Sequence, residues 1–283
     1  MPTSNKIPLG IYEKALPSAT NWRQKFDFAR QAGFDFVEIS IDESDERLSR
    51  LKWSPSERAK FLKSARDAGN PVFSLCLSAH RKYALGSAEK YIRDQAFNIM
   101  SQAINLASDI GIRVIQLAGY YVYYEPEIPD TEKRYAEGLS YGLKLAEKAG
   151  VMLALENVDG IHVNSIERAL RFVQQFNSPW FQIYPDIGNL TEQGLDVPHE
   201  LELGWGHYVG LHVKDVRKGQ VRRIPFGTGL VDFDAAFKRL AELGFESPVL
   251  IEMWNDDTHD AMKTIREAHD FIQTKMKNCG LPM

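Results

Sequence analysis

Glu156, Asp186, His212 and Glu252 are residues whose types could together hold a divalent cation, and they are spaced 30, 26 and 40 residues apart. Each stands at the end of an apolar run. Carboxylates buried side by side are costly to desolvate and repel one another unless protons or a cation compensate them. A divalent ion answers both problems. Three carboxylates and one imidazole suit Mn²⁺, Zn²⁺, Co²⁺ or Mg²⁺ better than a thiolate-preferring ion, and they leave coordination positions for substrate oxygens. A lone Glu or Asp at a strand end more often caps a loop or joins a salt bridge. The case for a site therefore rests on the elements that would bring the four together.

Those elements are repeated strand and helix units. Five helix-like segments end in Gly and are followed by an apolar run: Gly33 before FDFVEIS, Gly69 before NPVFSLCLS, Gly111 before IRVIQLAG, Gly150 before VMLALEN and Gly244 before FESPVLIEMW. Glycine there is the left-handed helix cap. IPLGIY, WFQIYPD and YVGLHVKD complete eight predicted strands. Between them the period becomes helical, as in Ile92, Ala96, Ile99, Ala103, Leu106 and Ile110. Ser54-Pro55-Ser56-Glu57 and Asn164-Ser165-Ile166-Glu167 both have capping-box spacing. Eight units of roughly 35 residues predict a parallel sheet closed as a single (β/α)₈ TIM barrel, one α/β domain over residues 1–283. A doubly wound sheet is the rival, but no GxGxxG follows the first strand and no GxxxxGK[ST] occurs.

Residue parity sorts the faces of each strand. Val37, Ile39 and Ile41 oppose Glu38, Ser40 and Asp42, and Phe73, Leu75 and Leu77 oppose Ser74, Cys76, Ser78 and His80. The apolar set should meet the helices, leaving the mixed set inside the barrel. Glu156, Asp186, His212 and Glu252 then reach the carboxyl ends of the last four barrel strands, where barrel enzymes place their chemistry. Glu38 and Gln116 share the inward parity and could touch substrate, although a core hydrogen bond is the more ordinary role.

Composition narrows the partners. The chain has 34 Lys+Arg against 38 Asp+Glu, a formal charge of −4, with no basic run, which argues against nucleic acid. Cys76 and Cys279 form no metal pair or disulfide framework and fit a reducing cytoplasm. Neither a signal peptide nor a membrane-spanning run is expected. Small molecules become the leading partners.

GIYEKAL at 10–16, DFVEIS at 35–40, CLSAHR at 76–81, GIRVIQLAGY at 111–120, YPDIGNL at 184–190, HVKD at 212–215, PFGTGLVDF at 225–233 and LIEMW at 250–254 carry a further signal. In this order they resemble the L-ribulose-5-phosphate 3-epimerase (L-xylulose-5-phosphate 3-epimerase) family of xylose-isomerase-like barrels. The resemblance implies one divalent ion, a sugar phosphate substrate, inversion at carbon 3 and a place in L-ascorbate degradation. It puts the metal ligands at Glu156, Asp186, His212 and Glu252. The stretch Asn157–His162 matches least well.

Inverting carbon 3 of a 2-ketose means removing a proton beside the carbonyl and returning one to the opposite face, through an enediolate. Glu156 and Glu252 are the expected base and acid, with Asp186 and His212 mainly holding the ion. His80, Arg81 and Lys214 are candidates for the phosphate, with Arg222-Arg223 in a loop behind them. Asn189 in YPDIGNL joins Glu38 and Gln116 as a candidate substrate contact. Tyr120, Tyr121, Tyr123 and Tyr124 could wall a lid or pack in a core or homodimer, while His199, His207, His259 and His269 are expected on the surface. Gly227-Thr228-Gly229 could approach an anion or simply turn the chain. The rival functions are an aldose–ketose isomerase on the same barrel, an endonuclease-IV-like phosphodiesterase and a sugar-binding barrel without turnover.

Overall fold

The computed structural model describes residues 6–257 and 260–283. Its strands are β1 (Leu9–Tyr12), β2 (Phe36–Ile41), β3 (Val72–Leu77), β4 (Val114–Ala118), β5 (Met152–Glu156), β6 (Phe181–Ile183), β7 (Leu211–Val213), β8 (Asp215–Arg217), β9 (Gln220–Ile224) and β10 (Val249–Ile251). The helices are α1 (Trp22–Gln31), α2 (Asp45–Ser49), α3 (Pro55–Ala68), α4 (Lys90–Asp109), α5 (Thr131–Ala149), α6 (Ile166–Phe176), α7 (Ile187–Glu192), α8 (Val197–Leu203), α9 (Phe233–Leu243) and α10 (Ala261–Asn278). Eight strands run in the order β6-β5-β4-β3-β2-β1-β10-β7 with every neighbouring pair parallel. Parallel bridges from Ile183 to Tyr208 and from Asp186 to His212 close the ring. The fold is an eight-stranded parallel α/β barrel of the TIM type.

Helix starts and stops follow local chemistry. Ser54 and Glu57 form the expected capping box on α3, and Gly69 ends that helix in the left-handed region at φ 64°. α6 starts one residue later than the sequence spacing predicts: Ser165 is the cap, accepting from Arg168 N. Glu200 on α8 accepts from the amides of Ile166 and Glu167, so a distant carboxylate replaces the local box. On α4, Ala96, Ile99, Ala103 and Leu106 form the buried stripe against the barrel.

Parity holds through most of the barrel. Val37, Ile39, Ile41, Leu153, Leu155, Val249 and Ile251 face the helix layer, while Tyr12, Cys76, Ala154, Tyr184 and Leu250 fill the interior. Phe73 is the correction. A register shift between β2 and β3 turns it inward onto Phe36, with ring centroids 5.2 Å apart. Arg222 and Arg223 also depart from expectation, lying on β9 of the antiparallel β8–β9 hairpin that follows β7. Gly219, at φ 72°, makes the turn between these strands, and Val216, Val221 and Ile224 supply β-branched residues around it.

Candidate metal centre at the barrel mouth

β5 ends in Glu156, β7 carries His212 at its centre, and Glu252 directly follows β10. Asp186 follows β6 and caps α7 through Oδ1, which accepts from Asn189 N at 2.9 Å. One ligand atom from each of the four lies within 4.8 Å of the others. All four side chains are buried, Asp186 completely. Asp186 Oδ2 makes no hydrogen bond, and its polar neighbour is the Lys214 ammonium at 2.8 Å. Buried, converging and short of donors, these groups fit a divalent cation bound mainly through oxygen.

The electrostatics are uneven across the group. Burial, aided by nearby Glu252 and Asp186, pushes Glu156 up to about 7 against the pull of His212. Burial also raises Asp186, despite Lys214. It acts on Glu252 in the same direction, but Lys214 and then His212 outweigh it and hold that carboxyl down to about 2. His212 has a carboxylate at each ring nitrogen, Glu156 Oε1 at 2.8 Å from Nδ1 and Glu38 Oε1 at 3.2 Å from Nε2. Burial opposes its proton; the two carboxylates raise its pKa well above the usual imidazole value.

A second ring of groups fixes the first. Gln116 Nε2 donates to Glu156 Oε2, and the Ser74 hydroxyl donates to Glu38 Oε2 at 2.5 Å. Asn157 accepts from Asp186 N and donates to Asp186 O, both at 2.9 Å, while Asn189 Nδ2 donates to Asn157 O. Tyr184 packs against His212 with centroids 4.5 Å apart, in space that Gly210 leaves open: a Cβ there would lie 2.5 Å from the tyrosine ring. Glu38, Gln116 and Asn189 thus have defined hydrogen-bond partners in the barrel wall.

The basic candidates separate. His80 turns Nε2 toward Ala96 O at 3.2 Å, and burial lowers its pKa to about 4, so its ring is a neutral part of the packing beneath α4. Lys214 bridges Asp186 Oδ2 and Glu252 Oε2, each at 2.8 Å. Arg81 lies over Tyr120 and Tyr123, 5.4 and 5.5 Å from their centroids, and its buried Nε has no hydrogen-bond partner. A cavity of about 340 Å³ reaches the site at Glu252, which lines it together with Lys214, Arg223 and Trp254. Arg222 stacks over Trp254 at 5.3 Å.

Other expectations resolve at the same rim. The Gly227 and Gly229 amides donate to Asp215 Oδ2 at 2.9 and 2.8 Å, so the turn holds an anion supplied by the chain itself. Tyr120 and Tyr121 are buried, whereas Tyr123 and Tyr124 are exposed, the latter donating to Glu43. His162 is buried and packs on Tyr121 with centroids 4.6 Å apart. His269 is not a surface residue: it is buried edge-on against Phe34. His199 is exposed, His207 half-buried, and His259 lies outside the described residues. Sequence patterning passed over Glu13, Asn157, Tyr184 and Asp215; for Asn157, its position directly after the strand-end Glu156 was an available signal.

A barrel of eight parallel strands with carboxylates and an imidazole converging at their carboxyl ends defines the class, and residues 26–275 match the xylose isomerase-like TIM barrel family. The chain is 46% identical over 278 residues to the L-ribulose-5-phosphate 3-epimerase UlaE of Escherichia coli O1:K1 / APEC, covering 98% of both chains. It has the same identity and coverage with the UlaE of Escherichia coli O157:H7. The chain belongs to the L-ribulose-5-phosphate 3-epimerase family. Solved structures with the same fold include an L-ribulose 3-epimerase (TM-score 0.81, 22% identity, 96% of this chain and 95% of that one). A D-psicose 3-epimerase from Clostridium cellulolyticum H10 has TM-score 0.80 and 17% identity, covering 95% of this chain and 99% of that one.

Proposed function

We propose that the protein interconverts L-ribulose 5-phosphate and L-xylulose 5-phosphate by inverting carbon 3, with Glu156 and Glu252 exchanging the proton. The observation that carries this reading is the pair itself. The two carboxyls come from β5 and β10, strands separated in the barrel by β6 and β7, and their surroundings drive their proton affinities apart, one up to about 7 and the other down to about 2. A pair whose members differ in proton affinity suits a reaction that removes a proton from one face and returns one to the other, which needs one carboxyl ionised and one protonated. The family membership supports the substrate.

Glu156, Asp186, His212 and Glu252 would hold the ion, of which Mn²⁺, Zn²⁺, Co²⁺ and Mg²⁺ all suit the donor set. When bound, a divalent ion supplies Lewis-acid stabilisation of negative charge developing on the carbonyl oxygen. Ionised Glu252 accepts the carbon 3 proton in one direction while protonated Glu156 donates to the opposite face, and the roles reverse on return. Lys214, bridging Asp186 and Glu252, holds these carboxylates in place and moderates their repulsion. Arg81, a half-buried cation whose buried Nε lacks a partner, takes the substrate phosphate.

Metal-loaded protein incubated with L-ribulose 5-phosphate in deuterated water should form L-xylulose 5-phosphate with deuterium at carbon 3, read by NMR. Deuterium at carbon 1 with an aldose product would replace this reaction by aldose–ketose isomerisation. Binding without any hydrogen exchange would make the protein a sugar-phosphate binder.

A further inference from the structure

The imidazole of His212 is held from both sides. Its Nδ1 faces Glu156, inside the four-residue group, and its Nε2 faces Glu38, which is outside that group and arrives from β2. Glu38 is fully buried, and its other oxygen accepts from the Ser74 hydroxyl on the neighbouring strand β3. Among the described residues no Lys or Arg forms an ion pair with Glu38; its charged-group partner is His212. A carboxylate this deep needs donors, and it has two.

We propose that Glu38 is a positioning residue of the metal centre: it accepts the Nε2–H of His212 and so directs the Nδ1 lone pair toward the ion that Glu156, Asp186 and Glu252 help to hold. Neutral imidazole carries one N–H and one lone pair, and an ionised carboxylate can only accept; both ring nitrogens face a carboxylate, so when an ion takes up the Glu156 oxygens it is Glu38 at Nε2 that selects the tautomer with Nδ1 free. Ser74 orients the carboxylate, and Tyr184, packed against the imidazole with centroids 4.5 Å apart, restricts rotation out of this alignment. Outer partners of this kind tune both the orientation and the basicity of a ligating histidine. The inference rests on the metal-centre reading above.

Calorimetric titration of Zn²⁺ and Mn²⁺ into chelator-stripped wild type, Glu38→Gln, Glu38→Ala and Ser74→Ala tests it, together with ¹⁵N–¹H spectra of histidine-labelled, Zn²⁺-loaded protein. Glu38→Ala should weaken ion affinity by about 10–100-fold, with Glu38→Gln, which retains an acceptor, losing less and Ser74→Ala least. In wild type, His212 should show a protonated Nε2 and a metal-shifted Nδ1. A proton on Nδ1, or Glu38 variants that bind both ions within twofold of wild type, would overturn the proposal. If Glu38→Ala does not fold, the near-isosteric Glu38→Gln and the wild-type spectrum still decide. Wild type that takes up no ion overturns the metal centre and this inference with it; normal uptake with unaffected Glu38 variants overturns this inference alone.

Discussion

Two buried charged clusters lie at the carboxyl ends of the barrel strands, and they are built on opposite principles. Beside β1 and β2, Glu13 and Asp42 face Lys14, Arg47 and Arg50; Glu13 is 1% exposed, yet both its oxygens accept from Arg50 at 2.9 and 2.7 Å and one from Ser40 N. Burial would raise Glu13, but the adjacent Arg50 and Arg47 outweigh it and hold the carboxyl below its ordinary value. Across β5 to β10, Glu156, Asp186 and Glu252, with Glu38 beneath them, share one Lys214 and one imidazole. Here burial wins at Glu156 and Asp186. A balanced cluster fixes loops; one deficient in positive charge suits a divalent cation.

Removing one charge should therefore have opposite consequences in the two places. Glu252→Gln should lower kcat by about 10²–10⁴-fold, the range of a lost proton-transfer group. The urea stability of the metal-free protein should fall by only about 2 kcal/mol, because Lys214 loses one of its two carboxylate partners but keeps Asp186. A variant that turns over normally and incorporates deuterium at carbon 3 as wild type does would end the assignment of Glu252. Arg50→Ala should do the reverse, destabilising the fold by about 3–5 kcal/mol because Glu13 is left buried with too few donors. Arg50→Lys should recover only part of that loss: the contacts to Glu13 and Ser40 O all come from Nη1, which an ammonium can replace, but the guanidinium plane 4.9 Å over Trp22 is lost.

Ion addition discriminates between the clusters without mutation. At a free ion concentration of 100 Kd the fold should gain about 2.7 kcal/mol, seen as a rise in Tm that chelator reverses. Among the described residues no ion pair joins the two clusters, so Arg50→Ala should show the same increment from its lower baseline. An increment that vanished in Arg50→Ala would mean that the balanced cluster also shapes the metal centre.

The barrel and the converging quartet were legible in the sequence because both follow from period: alternate residues choose the interior, and the last inward polar residue of a strand reaches the mouth. What lay beyond reach depended on partners far apart in the chain. Glu38 meets His212 across 174 positions, and nothing near either residue announces the contact. Lys214 had the right parity, but only the closed ring shows it between Asp186 and Glu252. Phe73 obeyed alternation on paper and escaped it through one register shift. Asp215 looked like the end of HVKD, whereas it anchors the glycine turn that sequence left open to an outside anion.

His80 supplies the smallest effect and a control for the comparison, because it is buried with a backbone carbonyl rather than with charge. Its folded pKa is depressed to about 4 by burial, against about 6.5 when unfolded, so the unfolded chain binds the proton first as pH falls. Stability from this residue is complete above pH 6.5 and is lost progressively down to pH 4, amounting to about 2 kcal/mol at pH 5. Glu13, with its lowered pKa, keeps its contribution in this window and loses it only as pH falls through that lower value. Glu156 acts in the opposite sense: raised to about 7, it takes up its proton in the fold first and stabilises the metal-free protein as pH falls. The measurement is therefore the difference between wild type and His80→Gln, whose amide can still donate to Ala96 O. That difference should shift by about 2 kcal/mol in favour of the variant between pH 7.5 and pH 5. A difference that stayed flat would mean the imidazole finds a second partner when protonated, and the region after β3 would then belong with the balanced cluster.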